Sequence, residues 1–408
     1  MRVVLRLLAG RPAWVLLGCL GLLACAAEPR RPETPAPEPI ARFALRPLAF
    51  EQLRGWAADD PREALHALDR SCQPLALRDP DTPLGVDPLF GIVGDWQRIC
   101  AEAASAAAGS AVRARAFVEE RFLPYLVIDG DDPEGLFTGY YEPLLNGSRT
   151  FGHPYTVPLH RPPDDLLRLD LGRFNPELAG YAIYGRVAGR EFVPYHSRRD
   201  IEAGALDQRG LELLWVDDPI DKFILQVQGS GQVRLDDGSL IRVGYASQNG
   251  HPYHAIGRDL IEIGALTRDE VSLPAIRTWL EAHPGEAPQL MARNRSYIFF
   301  EEHRELAPDE GPLGAQGVSL TAGRSLAVDP RYIPFGVPVW LDTTAPWPDG
   351  RGPLRRLMVA QDTGGAIKGV VRGDVFWGAG ERAAAIAGRM KSRGRYAVLL
   401  PRSSIPVS

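Results

Sequence analysis

A chain of 408 residues, 45% apolar and 24% charged, has material for two or three domains with sizeable cores. Its formal net charge of −5 leaves no basic footprint of the kind that nucleic-acid binding needs. With 42 glycines and 36 prolines, it favours turns and short strands over long helices.

The first 25 residues read as a targeting segment, outside the fold. Arg2, Arg6 and Arg11 form a basic start, and Ala13 to Leu23 is an apolar stretch too short to span a bilayer comfortably. It ends in Leu22-Leu-Ala-Cys25, which resembles the processing site of bacterial lipoproteins, with Cys25 as the lipidated first residue. A plain signal peptide cleaved near residues 24–27, or an uncleaved anchor, is the competing reading. Ala26 rather than aspartate follows the cysteine, which by the same resemblance points to the outer membrane. Residues 1–24 are then the signal, and 25–42, proline-rich from 29 to 39, an extended tether. Cys72 and Cys100 remain as an even pair in an oxidising compartment, either bonded or two buried thiols. Their spacing fits no zinc pattern.

Phe43 to Pro124 reads as mostly helical. Asp59-Asp-Pro61 is a start signal for Trp56 to Leu68, and Trp96, Ile99 and Ala103 recur at helical spacing as a core face. From Tyr125 the period shortens. Strand-like runs follow at Leu136–Pro143, Tyr155–Leu159, Tyr181–Val187, Leu211–Val216 and Phe223–Val227, with a hairpin over 233–243 turning at Asp237-Gly238. Ala255–Ile263 and Leu273–His283 return to helical periodicity. Five more candidate strands follow at Tyr297–Glu301, Ser325–Val328, Val337–Leu341, Leu357–Ala360 and Tyr396–Leu400. The fold class is therefore mainly β with a helical N-terminal part (α+β), in two β modules of barrel or sandwich type.

No P-loop, GxGxxG after a strand, or HExxH occurs. Ser230 fails the GxSxG elbow because Gln232 holds the last glycine position. His251 and His254 form an i,i+3 pair without other metal ligands, and neither a metal nor a cofactor is expected. What stands out is Asp362, breaking an apolar run just before Thr363-Gly-Gly365, and Asp374 twelve residues on, with Phe376 and Trp377 beside it. Two acids at strand ends, held by glycines and flanked by aromatics, suit a site that binds a sugar and protonates it. Turn aspartates capping their own backbone are the competing account.

Three stretches, Asp329-Pro-Arg-Tyr-Ile-Pro-Phe-Gly336, Ala360-Gln-Asp-Thr-Gly-Gly-Ala-Ile-Lys-Gly369 and Asp374, resemble the three-aspartate module of double-psi β-barrels. Phe137-Thr-Gly-Tyr-Tyr-Glu-Pro143, Gln226-Val-Gln-Gly-Ser-Gly231 and Gly244-Tyr-Ala-Ser-Gln-Asn-Gly-His-Pro-Tyr253 resemble blocks of the membrane-bound lytic murein transglycosylase A family, in the same order. That resemblance implies a six-stranded double-psi barrel with a second β-barrel domain inserted, and a glycan groove between them. The expected division is 43–142 for the helical part and first barrel strand, 143–268 for the insert, and 269–408 for the rest of the barrel. The implied reaction cuts the β-1,4 bond between N-acetylmuramic acid and N-acetylglucosamine of peptidoglycan without water, leaving a 1,6-anhydro sugar. The implied partners are peptidoglycan glycan strands and, through the lipid anchor, a membrane, from the periplasmic side. A monomer is expected, and membership of a cell-wall enzyme complex is left open.

If the sugar's own C6 hydroxyl attacks C1, one carboxyl serves as acid and then base, and must start protonated. Matching the motif residue by residue assigns that role to Asp374, although this chain carries one residue more between Gly369 and Gly373 than the family does. Asp362 either raises the pKa of Asp374 as a like charge or orients the sugar, against a cap in its own turn. Asp329 reads as support through an Asx-type turn before Pro330, with glycan contact as the alternative. Of Tyr140 and Tyr141, alternation lets one face the groove, with Thr138 on the same strand. Gln228, Gly229 and Ser230 offer hydrogen bonds and close approach, and Lys368 either holds Asp362, binds a muramyl carboxylate, or is solvated. A hydrolytic muramidase on the same scaffold and a non-catalytic peptidoglycan-binding lipoprotein are the rival functions.

Overall fold

The computed structural model describes residues 43–405 apart from 179–180, 305 and 307–309, so the signal, Cys25 and the tether lie outside the described residues. The described chain starts not in a helix but in a strand, β1 (Phe43–Pro47), paired antiparallel with β2 (Phe122–Asp129). Between them run the helices Arg62–Ala76, Val93–Ala107 and Ala111–Arg121. Trp96, Ile99 and Ala103 are buried on the second of these, as their spacing predicts, and a Cys72–Cys100 disulfide ties it to the first.

The barrel is a closed ring of six strands. β3 (Gly135–Glu142) is separated in sequence from β13 (Ser325–Ala327), β14 (Pro338–Trp347), β15 (Gly350–Asp362), β16 (Arg372–Ala379) and β17 (Lys391–Pro401). Pairing runs β17, β14, β15, β13, β16, β3 and back to β17, which leaves no open edge in the ring. β2 and β1 extend it beyond β17. This is the six-stranded barrel that the resemblance implied.

The insert leaves the barrel after Glu142, a buried carboxylate that accepts from Arg242 Nε at 2.6 Å and from Gln232 Nε2 at 2.9 Å. Within the insert come β4 (Leu144–Ser148), β5 (Val157–His160), β6 (Leu167–Asp170), β7 (Ala182–Ala188), β8 (Glu191–Pro194), β9 (Glu212–Val216), β10 (Gly231–Leu235), β11 (Leu240–Gln248) and β12 (Ile298–Glu302). Six of them form one sheet in the order β12, β11, β10, β4, β9, β5, and β6, β7 and β8 form a smaller one. Two expectations change here. Phe223–Val227 is not a strand but part of the helix Pro219–Gln228. Asp218 caps that helix by accepting from Ile220 N–H, Pro219 opens it, and Gly229 closes it at φ +86°. Ile298–Glu302 was expected in the C-terminal barrel part, yet it pairs with β11, because Phe299 and Phe300 pack into the insert's own cores. In strand pairing, the chain returns to the barrel sheet at β13, after β12 has paired within the insert.

Candidate active site

β13 is only three residues long, and its last one, Ala327, sits in register with an acid on each side. Ala327 faces Asp362 on β15 and Asp374 on β16. Directly paired residues point to the same face of a sheet, so both carboxyls stand on one face with only a methyl between them. Two strand spacings put their α-carbons roughly 10 Å apart. A bulge makes this possible, since Leu326 pairs with Ala360 and Ala327 with Asp362, so Gln361 is the extra residue. Its buried amide donates to Ala67 O at 2.8 Å and Ser71 Oγ at 2.9 Å on the first helix, and accepts from Ser325 Oγ. The helical N-terminal part thus pins the bulge that aims Asp362.

Asp374 is half-buried, and Thr138 on β3 donates to its Oδ1 at 2.7 Å. Arg372 Nη2 in turn donates to Thr138 Oγ1 at 2.8 Å. Burial pushes the Asp374 carboxyl up to about 6, against the Arg372 charge and the Thr138 hydrogen bond, and the Asp362 charge adds to the rise. Oδ2 has no partner among the described residues. A carboxyl that still holds its proton at mildly acid pH, with one oxygen uncommitted, can donate to a bound group.

Asp362 is the better-satisfied acid. Tyr140 Oη donates to Oδ2 at 2.6 Å, and the backbone N–H groups of Ala315 and Thr363 donate to Oδ1 at 2.9 and 2.8 Å. Burial raises this carboxyl too, opposed by those three donors. Three donors favour its anion, where Asp374 accepts a hydrogen bond from Thr138 alone. Gly314 lets the Ala315 loop come this close, since a Cβ there would lie 2.6 Å from Gln361 O.

The structure brings Thr138 and Tyr140 to the two acids, but Tyr140 is only 7% exposed and tilts against Phe376, with its hydroxyl spent on Asp362. Tyr141 points to the other side of the strand, and its backbone N–H donates to Gln228 Oε1 at 3.0 Å. Gln228 and Gly229 end their helix beside β3, and Ser230 is buried. Asp329 is 1% exposed, bound by Arg331 Nη2 at 2.6 Å and by Gly369 N–H at 2.9 Å, where it anchors the far end of the loop joining the two acids. Lys368 is exposed on that loop. His251 and His254 are spent on Tyr195 O and Asp259.

Sequence reasoning passed over Tyr253, Arg372 and Gln361. Tyr253 belongs to the insert, yet a Cβ on Gly365 would meet its Cβ at 3.7 Å. Burial first and the Asp374 charge second raise its phenol. It lies in a stretch already singled out, but nothing in one dimension places it against the acid loop.

The fold is that of a double-psi barrel protein with an inserted β module, with Asp362 and Asp374 set on either side of Ala327. Residues 136–301 match the MltA specific insert domain and residues 324–400 the 3D domain. The membrane-bound lytic murein transglycosylase A of Vibrio cholerae is 34% identical over 275 residues, a match spanning 66%, just under two thirds, of either chain. A crystal structure of a membrane-bound lytic murein transglycosylase from Agrobacterium tumefaciens superposes with a TM-score of 0.77 at 34% identity, covering 88% of this chain and 98% of that one. Escherichia coli MltA with bound chitohexaose superposes at 0.62 with 26% identity, over 88% and 91%. The chain belongs to the membrane-bound lytic murein transglycosylase A family.

Proposed function

We propose that the protein is a lytic transglycosylase of peptidoglycan, with Asp374 as its single acid and base. The observation that carries this is the carboxyl raised to about 6 with Oδ2 free, at the end of the acid loop that the insert's Tyr253 approaches through Gly365. Asp374 gives its proton to O4 of N-acetylglucosamine as the bond from C1 of N-acetylmuramic acid breaks. The C6 hydroxyl of the same muramic acid then bonds to C1, and its proton returns to Asp374. Asp362 holds negative charge nearby and keeps that proton on its neighbour. The chitohexaose held by the E. coli relative supports a glycan strand as the ligand.

The hydrolytic rival needs a second carboxylate as general base or nucleophile. Asp362 is poorly suited, because three donors already occupy its oxygens. As domain division we propose barrel segments 43–142 and 303–405 flanking an insert of 143–302. The location that fits this substrate is the periplasm, with lipid on Cys25 and an outer-membrane anchor. Digestion of purified sacculi followed by mass spectrometry tests the reaction. Wild-type protein releases 1,6-anhydromuropeptides and Asp374→Ala releases none. Products heavier by one water would establish hydrolysis instead.

A further inference from the structure

A second polar hollow lies on the barrel, with none of the acid-site residues in its lining. Arg46 on β1, Leu126 on β2, Ala397 on β17 and Trp340 on β14 stand directly opposite one another across four strands. Their side chains therefore share one face of the sheet. Two residues along each strand, Asp342 and Arg395 face each other on that same side. The segment from Leu48 to Arg54 folds back over this face, and the small Ala397 leaves a cavity of about 230 Å³ beneath it.

Its charges do not balance. Arg46, Arg54 and Arg395 line the cavity, against the single carboxylate of Asp342. That carboxylate is held more closely by Arg355, at 2.7 Å, than by Arg395, at 3.5 Å. The side chains of Arg46 and Arg54 have no ion pair or hydrogen bond within the described residues. Trp340, 2% exposed and packed edge-on against Trp56, gives the hollow an apolar floor beneath these charges.

We propose that this cavity binds a phosphoryl group. Guanidinium groups are suited to phosphate oxygens, which they hold through paired charge-assisted hydrogen bonds. The space falls below the range of about 300–1,000 Å³ usual for larger ligands and is of a size for one phosphate or phosphodiester headgroup. Arg46 stands on β1, the first strand of the described fold. A lipid headgroup and free phosphate share this chemistry. The proposal does not rest on the transglycosylase reading.

The test uses the full-length protein in neutral detergent, titrated calorimetrically with three probes. These are inorganic phosphate, soluble short-chain phosphatidylglycerol and the matching phosphatidylcholine. Saturable binding with a Kd of about 1 mM or tighter is expected for phosphate or phosphatidylglycerol. Arg46→Gln with Arg54→Gln should weaken it by roughly tenfold or more, as loss of charge-assisted hydrogen bonds does. Unchanged thermal unfolding without ligand and unchanged release of muropeptides show that the double variant is folded. Tighter binding of phosphatidylglycerol than of phosphate assigns the site to lipid, and the reverse assigns it to the free ion. Equal binding by wild type and double variant, or saturation by none of the probes, overturns the proposal.

Discussion

Thr138 and Asp374 stand opposite each other on adjacent parallel strands, and the threonine hydroxyl donates to Asp374 Oδ1 at 2.7 Å. That hydrogen bond favours the carboxylate and holds the pKa of Asp374 below where burial alone would carry it. Thr138→Val keeps the shape and removes the donor. The alkaline limb of the pH–activity profile should move up by roughly half to one unit, since one hydrogen bond is worth about 1 kcal/mol. The pH–rate profiles of wild type and variant, measured side by side, check this. An unmoved limb would mean that another group sets it.

Asp374 should make activity and stability pull in opposite directions. Its folded pKa of about 6 lies above the unfolded value of about 3.9, so its proton helps folding below pH 4. That contribution is lost as pH rises from 4 through 6, after which the folded state carries a half-buried charge. Asp374→Asn removes the charge. At pH 7.5 the variant should unfold later than wild type, by about 1–2 kcal/mol once partial exposure is allowed for, and at pH 4 the two should coincide. Its turnover of sacculi should fall by roughly 10²-fold or more. Thermal unfolding at the two pH values, with muropeptide release, reads both effects.

Tyr140 holds Asp362 from inside the barrel. Tyr140→Phe leaves Asp362 Oδ2 without its donor and should cost about 1.5–3 kcal/mol, the range for a hydrogen bond to a charged group. Urea unfolding at pH 7.5 measures this. A loss below 0.5 kcal/mol would show that Asp362 has another partner ready.

Tyr253 comes from the insert and is 37% exposed. If its ring lies against the sugar, Tyr253→Ala should raise KM on soluble glycan strands roughly three- to tenfold, with Tyr253→Phe close to wild type. Should Phe fail as badly as Ala, the hydroxyl rather than the ring is at work, which kinetics on both variants distinguishes.

The Cys72–Cys100 bond closes a loop with a sequence separation of 28 between two helices, one of which holds Gln361 through Ala67 and Ser71. Replacing both cysteines by serine should cost about 2–4 kcal/mol, seen in chemical unfolding with and without reductant. Reductant should move the wild type and leave the variant unchanged.

Local chemistry determined much of this protein by itself. Turn glycines and strand periods marked two β modules and the acids Asp362 and Asp374, because such signals act over a few residues, while the closed barrel and its insert came from the family resemblance of ordered blocks. Even the helix at Pro219–Gln228 carries its cap, its proline and its closing glycine in the open, around an apolar run that suits a strand equally well. Other features only tertiary structure could decide. Ala327 is an ordinary alanine until β15 and β16 pair with it and set an acid on each side. Gln361 becomes the pivot of a bulge, and Tyr253 crosses from another module to the acid loop. Which acid is the better satisfied depends on donors from residues 138, 140, 315 and 363, and strand pairing and loop closure, not neighbourhood in the chain, bring most of those to the acids.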